Sequence, residues 1–193
     1  MEIQRSACTL LVAVLFACNA SATSVPSLTF EELTDHSEVI VSGQITRSWA
    51  DWDSEHKFIW THYELSVSGV QKGAPGATVE LSEPGGVVGD RGMTIAGAVQ
   101  YSPGDRVTVF LERMPNGYLR TTGWGQGKYT VDKAGRLHAD ASLRGIEAVK
   151  ADQGGKSNLA AGTSLRTLEG ITIGELKIRV AARVAAQRQG SAK

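Results

Sequence analysis

The chain has 193 residues, and its 20 basic and 20 acidic side chains balance to a formal net charge of zero at pH 7. The chain as a whole therefore lacks the excess of basic charge that favours nucleic-acid binding, and no nucleic-acid partner is expected. Both cysteines, Cys8 and Cys18, lie within the first 22 residues. If that segment is removed, disulfides, thiolate metal ligands and cysteine nucleophiles are excluded.

Residues 1–22 have the features of an export signal. A weakly basic start precedes an apolar run over residues 7–18, and the small residues of Ala20-Ser21-Ala22 fit a signal-peptidase site. The run is about a dozen residues long, whereas a helix needs roughly 20 to cross a bilayer. We therefore expect an exported protein, periplasmic or extracellular. In the alternative, Leu15-Phe16-Ala17-Cys18 resembles a lipobox, and lipid on its cysteine would tether the chain to a membrane; membrane contact is expected only then.

Residues 23–138 are predicted to form one β domain that begins with a short helix. Thr29 and Glu32 form a capping box, which predicts a helix at about residues 30–37. Beyond it, apolar residues alternate with a period of two, the pattern of strands with one buried face. The strands predicted in this way span 39–46, 58–70, 78–82, 106–112, 118–122 and 128–131. The glycine-rich residues 84–97 predict a long loop, or a short strand between loops.

Short strands separated by turns, without alternating helices, favour an antiparallel fold over an α/β fold. The predicted fold is mainly β: a small antiparallel Greek-key barrel of OB-like type, or a sandwich. A short N-terminal helix and an amphipathic C-terminal helix complete it. Residues 139–170 predict a short helix near 143–149 and then a flexible linker.

Residues 171–193 are predicted to form an amphipathic C-terminal helix and tail. Thr172 and Glu175 make a second capping box, and Leu176 and Val180 belong to a narrow apolar stripe at helical spacing. Six basic and two acidic side chains lie between residues 164 and 193. We therefore expect this helix to dock on the more acidic body of the chain. A membrane-surface protein that uses the same helix is the alternative.

Three of the four tryptophans cluster around the hairpin predicted between the first two strands. Exposed indole rings give a large contact area at a low entropic cost, which favours a surface that binds a protein, peptide or glycan. The candidate binding residues are Trp49, Trp52, Trp60, Asp53, His56 and His62. The alternative is structural, because Trp49 and Trp60 would also close the hairpin as a cross-strand pair.

No metal site, cofactor or catalytic residue is predicted. The polar hairpin tip lacks the spacing and the glycine of an EF-hand loop, and His56 and His62 match no zinc signature. The sequence contains neither a nucleophile elbow nor a zinc-protease helix motif. The enzyme alternative is a secreted hydrolase whose site is assembled from separated carboxylates and His62.

Several short segments resemble a pattern in uncharacterised exported bacterial β-domain proteins. The segments that carry this resemblance are 38–45, Trp52-Asp53, Thr61, 70–73, Pro84-Gly85-Gly86, Pro103-Gly104-Asp105, 109–111 and Gly125-Gln126-Gly127-Lys128. In that group similar segments sometimes accompany secreted matrixin-like metalloproteases, so the resemblance implies an accessory role and assigns no catalytic residue. Residues and resemblance together predict a non-catalytic exported binding or accessory domain.

Overall fold

The computed structural model describes residues 25–140, 148–149 and 168–190. The strands are β1 (Val25–Pro26), β2 (Val39–Trp52), β3 (Ile59–Lys72), β4 (Thr78–Pro84), β5 (Gly86–Val88), β6 (Arg91–Met93), β7 (Arg106–Arg113), β8 (Leu119–Thr121), β9 (Lys128–Val131), β10 (Leu137–Ala139) and β11 (Ala148–Val149). The helices are α1 (Phe30–His36) and α2 (Ile173–Gly190), and a 3-10 turn spans Trp124–Gly127.

The predicted fold class is confirmed: a mainly antiparallel β sheet carries a short N-terminal helix and a C-terminal helix. The main sheet has the order β10-β9-β7-β2-β3-β4, and β8 pairs with the end of β7. Two smaller pairings join β5 to β6 and, in parallel, β1 to β11. The predicted export signal lies outside the described residues. Of the helix predicted at 143–149, only Ala148 and Val149 are described, and they form β11.

The sheet curls so that β4 approaches β8, but it does not close. This order is compatible with an OB-like barrel, a partly open Greek-key barrel of five strands. The side chain of Glu83 links β4 to β8 at the place where a strand ladder would close the sheet. Glu83 of β4 is 1% exposed; its Oε1 accepts a hydrogen bond from the backbone N–H of Thr121 at 2.8 Å, and its Oε2 accepts one from Arg120 Nε at 3.2 Å. Burial raises the pKa of the Glu83 carboxyl, against the effect of these donors.

The hydrophobic core has two parts, one on each face of the sheet. The inner part lies on the concave side of the curled sheet and consists of Val39, Val41, Ile45, Tyr63, Leu65, Val79, Leu81, Val99, Tyr101, Val107, Val109 and Leu111. The outer part lies under the helices, and consists of Leu33, Ile40, Phe110, Tyr129, Leu137, Leu168, Leu176 and Val180. The α2 helix also approaches β3. The helices therefore cover the part of the outer face that lies away from the tip of the β2–β3 hairpin.

The C-terminal helix docks on its own domain through its apolar stripe and an ion pair. Thr172 and Glu175 cap it reciprocally, and Leu176 and Val180 are fully buried in the outer core. Arg183 makes a bidentate ion pair with Asp35 of α1, which lowers the pKa of that carboxyl chiefly through hydrogen bonding. Leu176 and Val180, which belong to the predicted apolar stripe, are thus in contact with the domain.

Candidate functional site

The tryptophan-bearing hairpin extends beyond the rest of the sheet. β2 pairs with β7 only over residues 39–44, whereas its pairing with β3 continues to Trp52 opposite Ile59. The sequence predicted a shorter first strand because the second half of β2 is polar. Pairing with the apolar β3 keeps this polar half extended, and the hairpin presents a second, uncovered part of the outer face.

A β-bulge decides which side chains this part of the outer face carries. Ile45 pairs with Leu65 and Arg47 with Glu64, so Thr46 is one residue in excess on β2. An extra residue reverses the alternation of side chains beyond it. Trp49 has the same parity as the buried Ile45 and would point inward without the bulge. With the bulge it lies opposite His62 on the outer face.

Four rings form a continuous aromatic strip on this face, namely Trp49, Trp60, His62 and Tyr118. The Trp49 and His62 rings stack with centroids 5.3 Å apart. Tyr118, from the turn before β8, contacts Trp60 at 5.2 Å and His62 at 5.4 Å, edge to face in both cases. Trp49, Trp60 and Tyr118 remain partly exposed while His62 is buried among them. The structural alternative expected Trp49 and Trp60 to lie opposite each other on neighbouring strands. They do not, because Trp60 lies opposite Asp51.

Charged side chains border the aromatic strip. The guanidinium of Arg47 lies 4.3 Å from the centre of the Trp49 ring and 3.8 Å from a Glu64 carboxylate oxygen. Such a cation over an indole face is attracted by the ring electrons and fixes the ring orientation. The exposed Asp51 also lies on this face. The strip thus combines apolar ring surface with donors and acceptors at its border.

His62 is buried within the strip. Burial lowers its pKa, although the Glu80 and Asp51 carboxylates act in the opposite direction. Its Nδ1 lies 2.8 Å from Ser82 Oγ and 3.6 Å from Glu80 Oε1. A serine–histidine–acid relay needs the two partners on different ring nitrogens. Here both partners face the same nitrogen and Ser82 is 1% exposed, so these residues do not form such a relay.

The polar residues of the hairpin tip hold its turn. Asp53 Oδ1 accepts a hydrogen bond from the backbone N–H of Lys57 at 2.7 Å, and this bond lowers the pKa of Asp53. His56 has a positive φ of 54°, and its ring stacks on Trp52 with centroids 6.3 Å apart. Phe58, which the sequence analysis did not select, is 50% exposed at the start of the returning chain. Asp53 and His56 therefore shape the tip and do not join His62 in a pocket.

A separate cavity of about 460 Å³ opens on the inner side of the sheet. It lies between β3, β4, the β5–β6 hairpin and residues 94–102, and none of the six predicted site residues lines it. Among the residues that line it are Tyr63, Glu83, Val99, Gln100, Tyr101 and Lys128. The inward orientation of Glu83 could have been predicted from the sequence, because Glu83 has the parity of the inward-facing Val79 and Leu81. We call this space the barrel cavity.

Within residues 25–140 and 168–190, no group of three or more histidine, cysteine, aspartate or glutamate side chains is placed to hold a metal ion. In the same ranges, no helix has the length and apolar character needed to cross a membrane. Comparisons of the chain with protein-family models, curated proteins and solved structures found no match.

Proposed function

We propose that this chain is an exported, non-catalytic binding or accessory domain that recognises a protein, peptide or glycan partner through the aromatic strip. The observation that carries the proposal is the position of the strip outside both parts of the core. The helices cover the neighbouring part of the same sheet face, and no described element covers the hairpin part. Partly exposed rings held in fixed contacts lose little conformational freedom when a partner binds.

The composition of the strip fits partner recognition better than a purely structural role. Trp and Tyr are enriched at the energetic centres of interfaces because they offer large apolar surface with a polar edge. Phe58, which precedes Trp60 on the same hairpin, is 50% exposed. Arg47 and Asp51 supply a cation and a carboxylate at the border, which gives both peptide groups and sugar hydroxyls a hydrogen-bonding partner.

An accessory role beside a secreted enzyme, as the resemblance implies, is one form of this proposal. In OB-fold proteins the strand 2–3 face and the loop between the first two strands bind ligands. In this proposal the β2–β3 hairpin corresponds to the first two strands of an OB fold, and that analogy of fold supports a binding role for the hairpin.

Arrays of glycans and of peptides, probed with the labelled chain from residue 23 onward, test the proposal. Trp60→Ala and Phe58→Ala each reduce ring surface on the hairpin, and Ile178→Ala is the matched control because Ile178 is an apolar residue of α2 that is 71% exposed. The proposal expects ligands that the wild type and Ile178→Ala bind and that Trp60→Ala loses. Identical binding by all variants would remove the strip from recognition. Thermal unfolding of each variant separates loss of binding from loss of fold.

A further inference from the structure

The barrel cavity has the size and wall of a small-molecule site. Its volume of about 460 Å³ falls within the range of about 300–1,000 Å³ that such sites occupy, and the mouths of β-barrels are among their usual places. The floor is built from buried side chains: Tyr63 is 4% exposed, Tyr101 6% and Lys128 8%. Gln100 and Ser102 are exposed and form the rim.

A connected polar network lies at this floor. The ammonium of Lys128 lies 4.7 Å from the centre of the Tyr101 ring, and the Tyr101 hydroxyl lies 2.6 Å from Thr121 Oγ1. The backbone N–H of Thr121 in turn donates to Glu83. Apolar side chains would fill this part of the core at lower cost, because burying polar groups is unfavourable unless they are paired. The polar network therefore points to a role other than packing.

The charges of the network are already compensated. Glu83 faces Arg120 at 3.2 Å, and Lys128 Nζ faces Asp140 Oδ2 at 2.6 Å. A charged ligand would therefore meet only opposite charges that are already paired. Hydrogen-bonding capacity is nevertheless left over, because a carboxylate offers about four acceptor positions and an ammonium three protons. Glu83 accepts from the backbone N–H of Thr121, from the Thr121 side chain and from Arg120, which leaves about one of its four acceptor positions. Lys128 donates to Asp140 and to the backbone oxygen of Gln100.

We infer that the barrel cavity binds a neutral, polyhydroxylated molecule of the size of a mono- or disaccharide. The Tyr63 and Tyr101 rings, in edge-to-face contact with centroids 5.0 Å apart, provide apolar surface for the C–H face of such a ring. Glu83 accepts and Lys128 donates hydrogen bonds to its hydroxyl groups. This site is on the opposite side of the sheet from the aromatic strip, so the inference does not depend on the proposed function.

The test is a two-dimensional amide NMR titration of the chain from residue 23 onward with a panel of neutral mono- and disaccharides. Matched uronic acids and amino sugars form the charged arm of the panel. Each sugar is added up to about 10 mM, which is about ten times a Kd of 1 mM. The inference expects at least one neutral sugar to shift the amides of Val99, Tyr101 and neighbouring lining residues, with no shift on the aromatic strip.

Two alanine-to-leucine variants decide whether the cavity is the site. Ala98 lines the cavity, and Ala98→Leu fills part of it without touching the polar network; Ala96 is an exposed neighbour that does not line it. Ala98→Leu should weaken binding at least about tenfold, while Ala96→Leu leaves it unchanged, with both variants folded by their NMR spectra. Shifts that map to the strip, binding of charged sugars only, no binding at all, or full binding by a folded Ala98→Leu would each overturn the inference.

Discussion

Replacing Glu83 with leucine tests whether this carboxylate holds the open side of the barrel together. Glu83 is the contact that joins β4 to β8 where no ladder forms, and its side chain is 1% exposed. Leucine has a similar volume, so Glu83→Leu removes the hydrogen bonds that the carboxylate accepts, with little change in packing. It leaves the Arg120 guanidinium, 13% exposed, and the backbone N–H of Thr121 without their acceptor.

The expected cost follows from what is left unpaired. Breaking a buried ion pair from one side costs about 3–5 kcal/mol, and an orphaned buried N–H costs about 1–3 kcal/mol. Both losses arise from one carboxylate, so they are not added, and about 3–5 kcal/mol is the expectation. For a domain of this size that corresponds to a fall in Tm of roughly 6–20 °C.

Urea unfolding followed by far-ultraviolet circular dichroism measures this cost. Glu80→Leu is the matched control on the same strand, because the Glu80 side chain is 57% exposed and its removal should cost less than about 1 kcal/mol. The double variant Glu83→Leu/Arg120→Met should recover part of the loss, since no buried charge is then stranded. A Glu83→Leu cost equal to that of Glu80→Leu would refute the assignment of Glu83 as the bridge.

Two further predictions concern the C-terminal segment. Leu176→Ala, at a fully buried position of the outer core, should lower the free energy of unfolding by about 2–5 kcal/mol. The control Ile178→Ala, at a position 71% exposed, should change it by less than about 0.5 kcal/mol. Equal effects of the two substitutions in urea unfolding would show that α2 is not docked. Hydrogen bonds to Asp132 and then Glu169 raise the pKa of His138, so its stabilising effect is present below its unfolded pKa of about 6.5 and is lost as pH rises through the folded pKa. The stability difference between wild type and His138→Gln should therefore shrink as the pH is raised from 5 to 9 in urea titrations, where a flat or growing difference would contradict this role.

The fold class followed from the sequence because its signals are local. The capping boxes at Thr29 and Thr172 fix the starts of both helices, and both appear where they were predicted. Alternation between apolar and polar residues located the strands of the main sheet. These patterns depend on neighbours three or four residues apart, or two in strands, so a single sequence displays them.

The site was only partly predictable, because its geometry depends on distant contacts. The sequence analysis selected Trp49, Trp60 and His62, and these residues do share one face. Tyr118 follows the Asn116-Gly117 turn and reaches them only because β8 folds back beside β4, a non-local event. The bulge at Thr46, which turns Trp49 outward, likewise leaves no local signature. The barrel cavity is built from segments far apart in the chain, and the sequence analysis did not predict it.

Isothermal titration with an array-selected peptide or glycan measures whether the aromatic strip recognises a partner. A tryptophan at the centre of an interface contributes at least about 2 kcal/mol, or roughly 30-fold in Kd. We expect Trp60→Ala to weaken binding by about this factor and Ile178→Ala to leave the Kd unchanged. A Trp60→Ala variant that unfolds at the wild-type temperature and binds with the wild-type Kd would contradict this expectation.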